Sequence, residues 1–128
     1  MAEGNYPEEL RYHAEHGWAK LDGAVATLGI SWFAQDALGE VVFFDPPDLG
    51  DAIVAGQPYG EVESLKAVSD LIAPLSGTVI EVNAALGADV ELINAEPYAA
   101  GWLIKVEVSQ PEEFESLLGA DAYAATLS

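Results

Sequence analysis

A mostly β fold with small helices is what this sequence predicts, and three observations carry the prediction. Apolar residues fall in short runs cut by Gly and Pro, as in many-stranded β folds, rather than in long helical stripes. Trp102, Ile104, Val106 and Val108 alternate with Leu103, Lys105 and Glu107, the period-2 pattern of a strand with one apolar face. The chain has 128 residues and is 51% hydrophobic, enough for one core in one domain over residues 1–128.

The elements follow in order. Val25–Ile30 reads as a strand. Ser31 is placed to cap a short helix near residues 31–38 that carries Phe33, Ala34, Ala37 and Leu38, and Gly39 stops it. Val41-Val42-Phe43-Phe44, closed by Asp45-Pro46-Pro47, reads as a buried strand. Gly50, Ala55-Gly56 and Gly60 divide the next stretch into short extended pieces. Pro74-Leu75-Ser76-Gly77 reads as a turn, and Thr78–Asn83 as the strand after it. Lys105 points off the apolar face of its strand, as a solvated lysine. Ser109 and Glu112 have capping-box spacing. Phe114, Leu117 and Leu118 share a helix face that Gly119 ends, and Asp121 starts a last helix through Leu127. Leu49-Gly50-Asp51-Ala52-Ile53 and Leu86-Gly87-Ala88-Asp89-Val90 form a faint echo of an internal repeat.

Charge narrows the function classes. There are 22 acidic and four basic residues, a formal net charge of −18. Such a surface repels phosphate backbones and anionic lipid, so neither nucleic acid nor membrane is an expected partner; basic protein patches are. There is no cysteine, hence no disulfide, thiolate metal site or thiol chemistry from the chain itself. Any redox role belongs to an added group. Met1–Pro7 lacks a basic start and an apolar run, so no targeting peptide is expected, and a cytoplasmic, bacterial protein is. His13 and His16 have no third ligand nearby, so metal binding is not expected. Trp18, Trp32 and Trp102 read as packing residues. The carboxylates are too scattered to nominate a catalytic pair.

Lys66 stands out, one of Arg11, Lys20, Lys66 and Lys105 in an otherwise acidic chain. Around it, Val62, Leu65, Val68, Leu71 and Ile72 recur every three or four residues, which favours a helix over 61–72. A strand reading needs a break between Ser64 and Val68, because Val62 and Leu65 cannot share one face of a strand. No Gly, Asn or Pro marks that break. Periodicity leaves helix and hairpin open, with helix slightly ahead.

Glu63-Ser64-Leu65-Lys66-Ala67, then Ser69-Asp70 and Ala73-Pro74-Leu75-Ser76-Gly77, resemble the lipoyl-attachment region of the glycine cleavage system H proteins. The resemblance runs nearly end to end, through Tyr12 and His16-x-Trp18, Gly29-Ile30, Ala34-Gln35, Leu38-Gly39, Val41-Val42-Phe43, Glu81-Val82-Asn83, Leu92-Ile93-Asn94, Glu96-Pro97-Tyr98, Gly101-Trp102, Leu117-Leu118 and Tyr123. It implies a lipoyl-type β-sandwich (a barrel-sandwich hybrid) in which Lys66 tips a tight turn between strands near Glu61–Ser64 and Val68–Ala73. It implies lipoate joined to Lys66 by an amide, supplying the disulfide that the chain lacks.

The partners the resemblance implies are the pyridoxal-phosphate P protein, which loads an aminomethyl group, the folate-dependent T protein, which takes it on, the flavin-dependent L protein, which reoxidises the dithiol, and the lipoylating enzymes. The chain is then a non-catalytic shuttle. Family resemblance also implies that lipoylating enzymes read Glu63 and Gly77, the latter expected to be a turn glycine with positive φ. Asp70 is expected to contact the loaded arm and shield it from hydrolysis.

Departures from the family keep an alternative open, a lipoyl carrier for another pathway such as sulfur oxidation or lipoyl relay. Gly17 stands where the family has Glu between His and Trp, with Glu15 as a substitute. Ser31-Trp32 stands for the usual Thr-Asp, and Leu65 for Val or Thr. A biotin carrier would flank its lysine with Met, unlike Leu65 and Ala67. An acidic β-sandwich that binds a partner with Lys66 unmodified is the remaining reading.

Overall fold

A computed structural model describes residues 6–127; Met1–Asn5, most of the segment expected to lack a targeting signal, lie outside the described residues. Strands β1 (Arg11–Tyr12), β2 (Gly17–Asp22), β3 (Val25–Ile30), β5 (Ala52–Ile53), β8 (Gly77–Val82) and β9 (Ile104–Val108) form one antiparallel sheet in the order β1-β2-β3-β9-β8-β5. Strands β4 (Val41–Asp45), β6 (Pro58–Ser64) and β7 (Val68–Ile72) form a second, in the order β4-β6-β7. One apolar cluster joins them: Leu28, Val79, Ile104 and Val106 from the first sheet with Val41, Phe44, Val62 and Leu71 from the second. Burial of these facing side chains holds the sheets together.

The helices are short. α1 (Trp32–Leu38) begins as its sequence predicts: the Ser31 side chain accepts from the Ala34 N–H, and Gly39 leaves the helix at φ 80°. α2 (Ala85–Ala88) and α3 (Leu92–Ala95) were not expected from the pattern, and α4 (Glu112–Glu115) and α5 (Ala120–Thr126) close the chain. α5 packs through a second cluster in which the Tyr12 and Tyr123 rings stack at 4.7 Å, with Trp18 in the same cluster. Trp18 is the best-buried tryptophan, and its Nε1–H donates to the Pro97 carbonyl at 3.0 Å.

Several local expectations differ from the structure, each for a physical reason. The helix over 61–72 is instead the β6–β7 hairpin, with Glu61 opposite Asp70 and Glu63 opposite Val68. The 3–4 spacing arises because Val62 and Leu71 face the core while Leu65 and Val68 stand out at 74% and 60% exposure. The strand read as buried at Val41–Phe44 buries only its ends: an irregularity between Val41 and Phe43 turns Val42 and Phe43 outward. Ser109 does not cap α4, whose N-cap position is Pro111 with no side-chain bond.

The Ser109 N–H, which a capping box would give to Glu112, donates instead to the Ser76 carbonyl at 3.1 Å, and the Glu113 carboxylate accepts from the Ser76 N–H at 2.7 Å and the Ser76 hydroxyl at 3.0 Å. The Pro74–Gly77 turn is therefore a buried crossover rather than an exposed loop. Gly119 has φ −73° and begins α5 instead of stopping a helix. Lys105 is not simply solvated; it lies 4.0 Å from Glu81 and 5.1 Å over the Trp102 ring. The faint repeat has no structural counterpart, since Gly50 turns at φ 89° before β5 whereas Leu86-Gly87 lies within α2.

Candidate functional site

Lys66 stands exposed at the tip of the β6–β7 hairpin, in a three-residue connection. The tip is held by Ser64. Its hydroxyl accepts from the backbone N–H groups of Lys66 at 3.3 Å and Ala67 at 3.2 Å, and the Ser64 N–H donates to the Ala67 carbonyl at 2.8 Å. A side-chain oxygen thus closes the turn by bonding its backbone, as Asn does in other tight turns, and no residue of the connection has the positive φ that would call for Gly. Ser64 is 6% exposed, so the hydroxyl is shielded from competing water.

A second restraint comes from outside the hairpin. The Leu65 N–H donates to the Glu40 carbonyl at 3.1 Å, tying the tip to the junction of α1 and β4. Asn94 fixes that junction in turn: its amide donates to the Gly39 carbonyl at 2.8 Å and to Gln35 Oε1 at 3.0 Å, and its oxygen accepts from the Val41 N–H at 2.9 Å. The lysine stem rests on this junction; a Cβ built on Gly39 would lie 3.6 Å from Lys66 Cε. Among the described residues no carboxylate lies within ion-pair distance of Lys66. The arrangement presents one primary amine on a rigid mount, open to solvent and to an acyl donor.

A groove of about 300 Å³ runs beside the hairpin, between the open edge of β7 and α1. Its walls are Ala67–Ile72, the apolar face of α1 with Phe33 and Ala37, and the turn that carries Glu15 and His16. Asp70 and Glu15 are its exposed carboxylates. Gly17 also borders it but is buried, offers no side chain, and has the Ile72 carbonyl 3.3 Å from where a Cβ would stand.

His16 has φ 77°, a backbone conformation rare for a side-chain-bearing residue. Its Nδ1 lies 2.7 Å from the Tyr123 hydroxyl, which lies 2.7 Å from Ser31 Oγ, so the groove wall is braced by α5 and by the cap of α1. Burial lowers the His16 pKa, which favours the neutral ring, and pushes the Tyr123 phenol up to about 12. His13 is occupied otherwise, its Nδ1 accepting from the Glu15 N–H at 2.9 Å.

Glu63 lies exposed on β6 three residues before Lys66, on the outer face of the small sheet. Gly77 does not join them. It is buried in β8 between Ile53 and Val108, and its φ is not positive, contrary to the expected turn glycine. It is glycine for lack of space: a Cβ would collide with the Glu107 carbonyl oxygen and approach Val106 Cβ at 3.3 Å. Sequence reasoning missed Ser64, Glu40 and Asn94 as supports of the tip. The Glu40 and Asn94 contacts join residues distant along the chain, and the Ser64 bonds form only once the hairpin does.

The family described as Glycine cleavage H-protein matches residues 10–128. The chain belongs to that family. A glycine cleavage system H protein of Beutenbergia cavernae is 52% identical over 122 residues, 95% of this chain and 96% of the relative. One of Symbiobacterium thermophilum is 48% identical over 121 residues, 94% of each chain. The crystal structure of a glycine cleavage system H protein from Mycobacterium marinum superposes with a TM-score of 0.86 at 41% identity, covering 94% of this chain and 98% of that one. With that match the expected lipoyl-type β-sandwich is the fold, and the H-protein resemblance holds along nearly the whole chain. Within this family member the Lys66 hairpin is the exposed tip of the smaller sheet.

Proposed function

We propose that this chain, as one lipoyl-carrier domain over residues 1–128, bears lipoate on Lys66 and shuttles the aminomethyl cargo of glycine within the glycine cleavage system. The observation that carries this is a lone exposed lysine on a doubly restrained hairpin tip, in a chain of the H-protein family. The site fits the group: the amine is free to form an amide, and the adjoining groove has apolar walls with carboxylates at its rim. Lipoate would supply the disulfide and dithiol chemistry that a chain without cysteine lacks. The chain's own residues mount the arm, shield it and present it; a carrier of this kind gains by raising the cargo's effective concentration at each enzyme.

Its partners in this reading are the P, T and L proteins and the lipoylating enzymes, in a bacterial cytoplasm. No helix among the described residues is long and apolar enough to cross a membrane. Glu63, exposed beside the tip, serves lipoylation directly, and Gly77, buried, serves it through the fold. A carrier for sulfur oxidation or lipoyl relay is not favoured, since the relatives bear the glycine cleavage name. Complementation of a bacterial strain lacking its H protein tests the reading: restored growth on glycine as the one-carbon source supports it, and no growth despite lipoylated protein rejects it.

Asp70 borders the groove from β7 and Glu15 from the opposite wall. A cationic amine carried by the arm is attracted to both, so Glu15 takes the place that Gly17 leaves empty. The attraction is modest, since exposed charge pairs contribute about 0–1 kcal/mol. Asp70→Asn should raise formaldehyde release from the loaded protein about two- to fivefold, in line with such a pair. An unchanged leak would remove Asp70 from this role.

A further inference from the structure

The outer face of the small sheet carries a pattern that extends well beyond the groove, which only Val68 and Asp70 of it also border. Register places Phe43, Glu63 and Val68 side by side across β4, β6 and β7, and Asp45, Glu61 and Asp70 side by side in the next row. All six are exposed, Phe43 at 54% and Val68 at 60%. The row nearer the tip is apolar–acidic–apolar. The row behind it, about 7 Å further along the strands, is three carboxylates. Like charges directly opposite one another destabilise a sheet, so this row works against the fold's own stability. Two outward apolar side chains with a band of one charge sign form a surface suited to a complementary protein.

We propose that this face is the docking surface for the enzyme that acylates Lys66, and that the enzyme meets it with a row of Lys or Arg and apolar depressions for Phe43 and Val68. The inference rests on the lipoyl-carrier reading above. Geometry selects this enzyme among the partners. Its reacting atom is the Lys66 Nζ itself, so its active site must close over the hairpin tip, and its body then lies on the two rows behind. Enzymes that act at the far end of an acyl arm need no such approach. In the acylation step Nζ displaces AMP from an acyl-adenylate, the amide bond forms, and the amine's proton passes to solvent. The carboxylate rows steer encounter and fix orientation; they do not touch the reacting atoms.

The test uses the unacylated full chain, lipoate, ATP and a lipoate–protein ligase, with acylation followed by intact mass. Asp45→Asn with Glu61→Gln should lower kcat/KM about tenfold at low salt, mostly through KM, because opposed charges speed association by such factors. Near 500 mM salt the difference should shrink to about twofold, as screening removes the attraction from the wild type. Phe43→Ala should lower kcat/KM at both salt concentrations. The double variant should melt no lower than wild type, since it removes facing like charges, so misfolding does not account for the loss. A double variant within twofold of wild type at low salt overturns the proposal. So does an equal loss in reoxidation of the acylated, reduced variant by a dihydrolipoyl dehydrogenase, which would assign the face to arm-directed enzymes. If the wild-type chain itself takes no acyl group on Lys66, the carrier reading fails and this inference with it; that result is distinct from a wild type that is acylated and a variant that matches it.

Discussion

Lys66→Arg should leave a fully folded protein that takes up no lipoate and supports no glycine cleavage. The charge is kept, but a guanidinium stays protonated above pH 12 and is no acyl acceptor, whereas an amine deprotonates and forms an amide. The fold should not register the change, because position 66 is exposed and the tip is held by backbone and Ser64 bonds. Stability should stay within about 0.5 kcal/mol, the usual range for surface substitutions. Thermal melting and intact mass after incubation with a lipoate–protein ligase check the two halves. A Lys66→Arg variant that still gains one lipoyl group would place the acceptor elsewhere, at Lys20 or Lys105.

Gly77→Ala should have the opposite profile, a large loss of stability with nearly normal acylation of the molecules that remain folded. β8 lies between β9 and β5 in the large sheet, and an added methyl at 77 meets the Glu107 backbone and Val106 Cβ. Relief requires moving main chain in β9, not swinging a flexible side chain. Overpacking of that kind costs about 1–3 kcal/mol, and a backbone collision in mid-sheet belongs at the upper end. The melting temperature should fall by roughly 10 °C for a chain of this size. Acylation at low temperature, normalised to the folded fraction by circular dichroism, should stay within about threefold of wild type, since ordered backbone at the tip survives in folded molecules. Normal melting with lost acylation would instead make Gly77 a directly recognised residue.

What the sequence could disclose depended on how far apart the interacting residues lie. The α1 boundaries were legible because Ser31, Ala34 and Gly39 act within one helical turn or at its end. β3 was legible because its apolar run ends at that cap. The hairpin was not legible from periodicity, since the inward Val62 and Leu71 and the outward Leu65 and Val68 together imitate helical spacing; family resemblance identified it. The turn needs no Gly or Asn because none of Leu65, Lys66 and Ala67 has positive φ, and the Ser64 hydroxyl binds its backbone N–H groups, which spacing does not reveal. The capping box at Ser109 was a sound local signal, but the Ser109 N–H donates to the Ser76 carbonyl, a long-range bond that the local pattern does not show.

Site chemistry divided in the same way. Lys66 was conspicuous from composition alone, and its neighbours Glu63 and Asp70 from the motif. Glu15 was suggested only by the missing side chain at Gly17, and the groove it borders exists only once β2, α1 and β7 are assembled. The carboxylate row Asp45–Glu61–Asp70 comes from three strands and depends on the irregularity in β4, so no linear pattern shows it.

The central claim is that Lys66 carries a lipoyl group, and intact mass of the chain purified from a lipoylating bacterial host, followed by mapping of the modified peptide, tests it most directly. The account expects one lipoyl increment, confined to the peptide that contains Lys66. Protein that stays at its unmodified mass in a host whose other lipoyl proteins are modified, or an increment on any other residue, would contradict it.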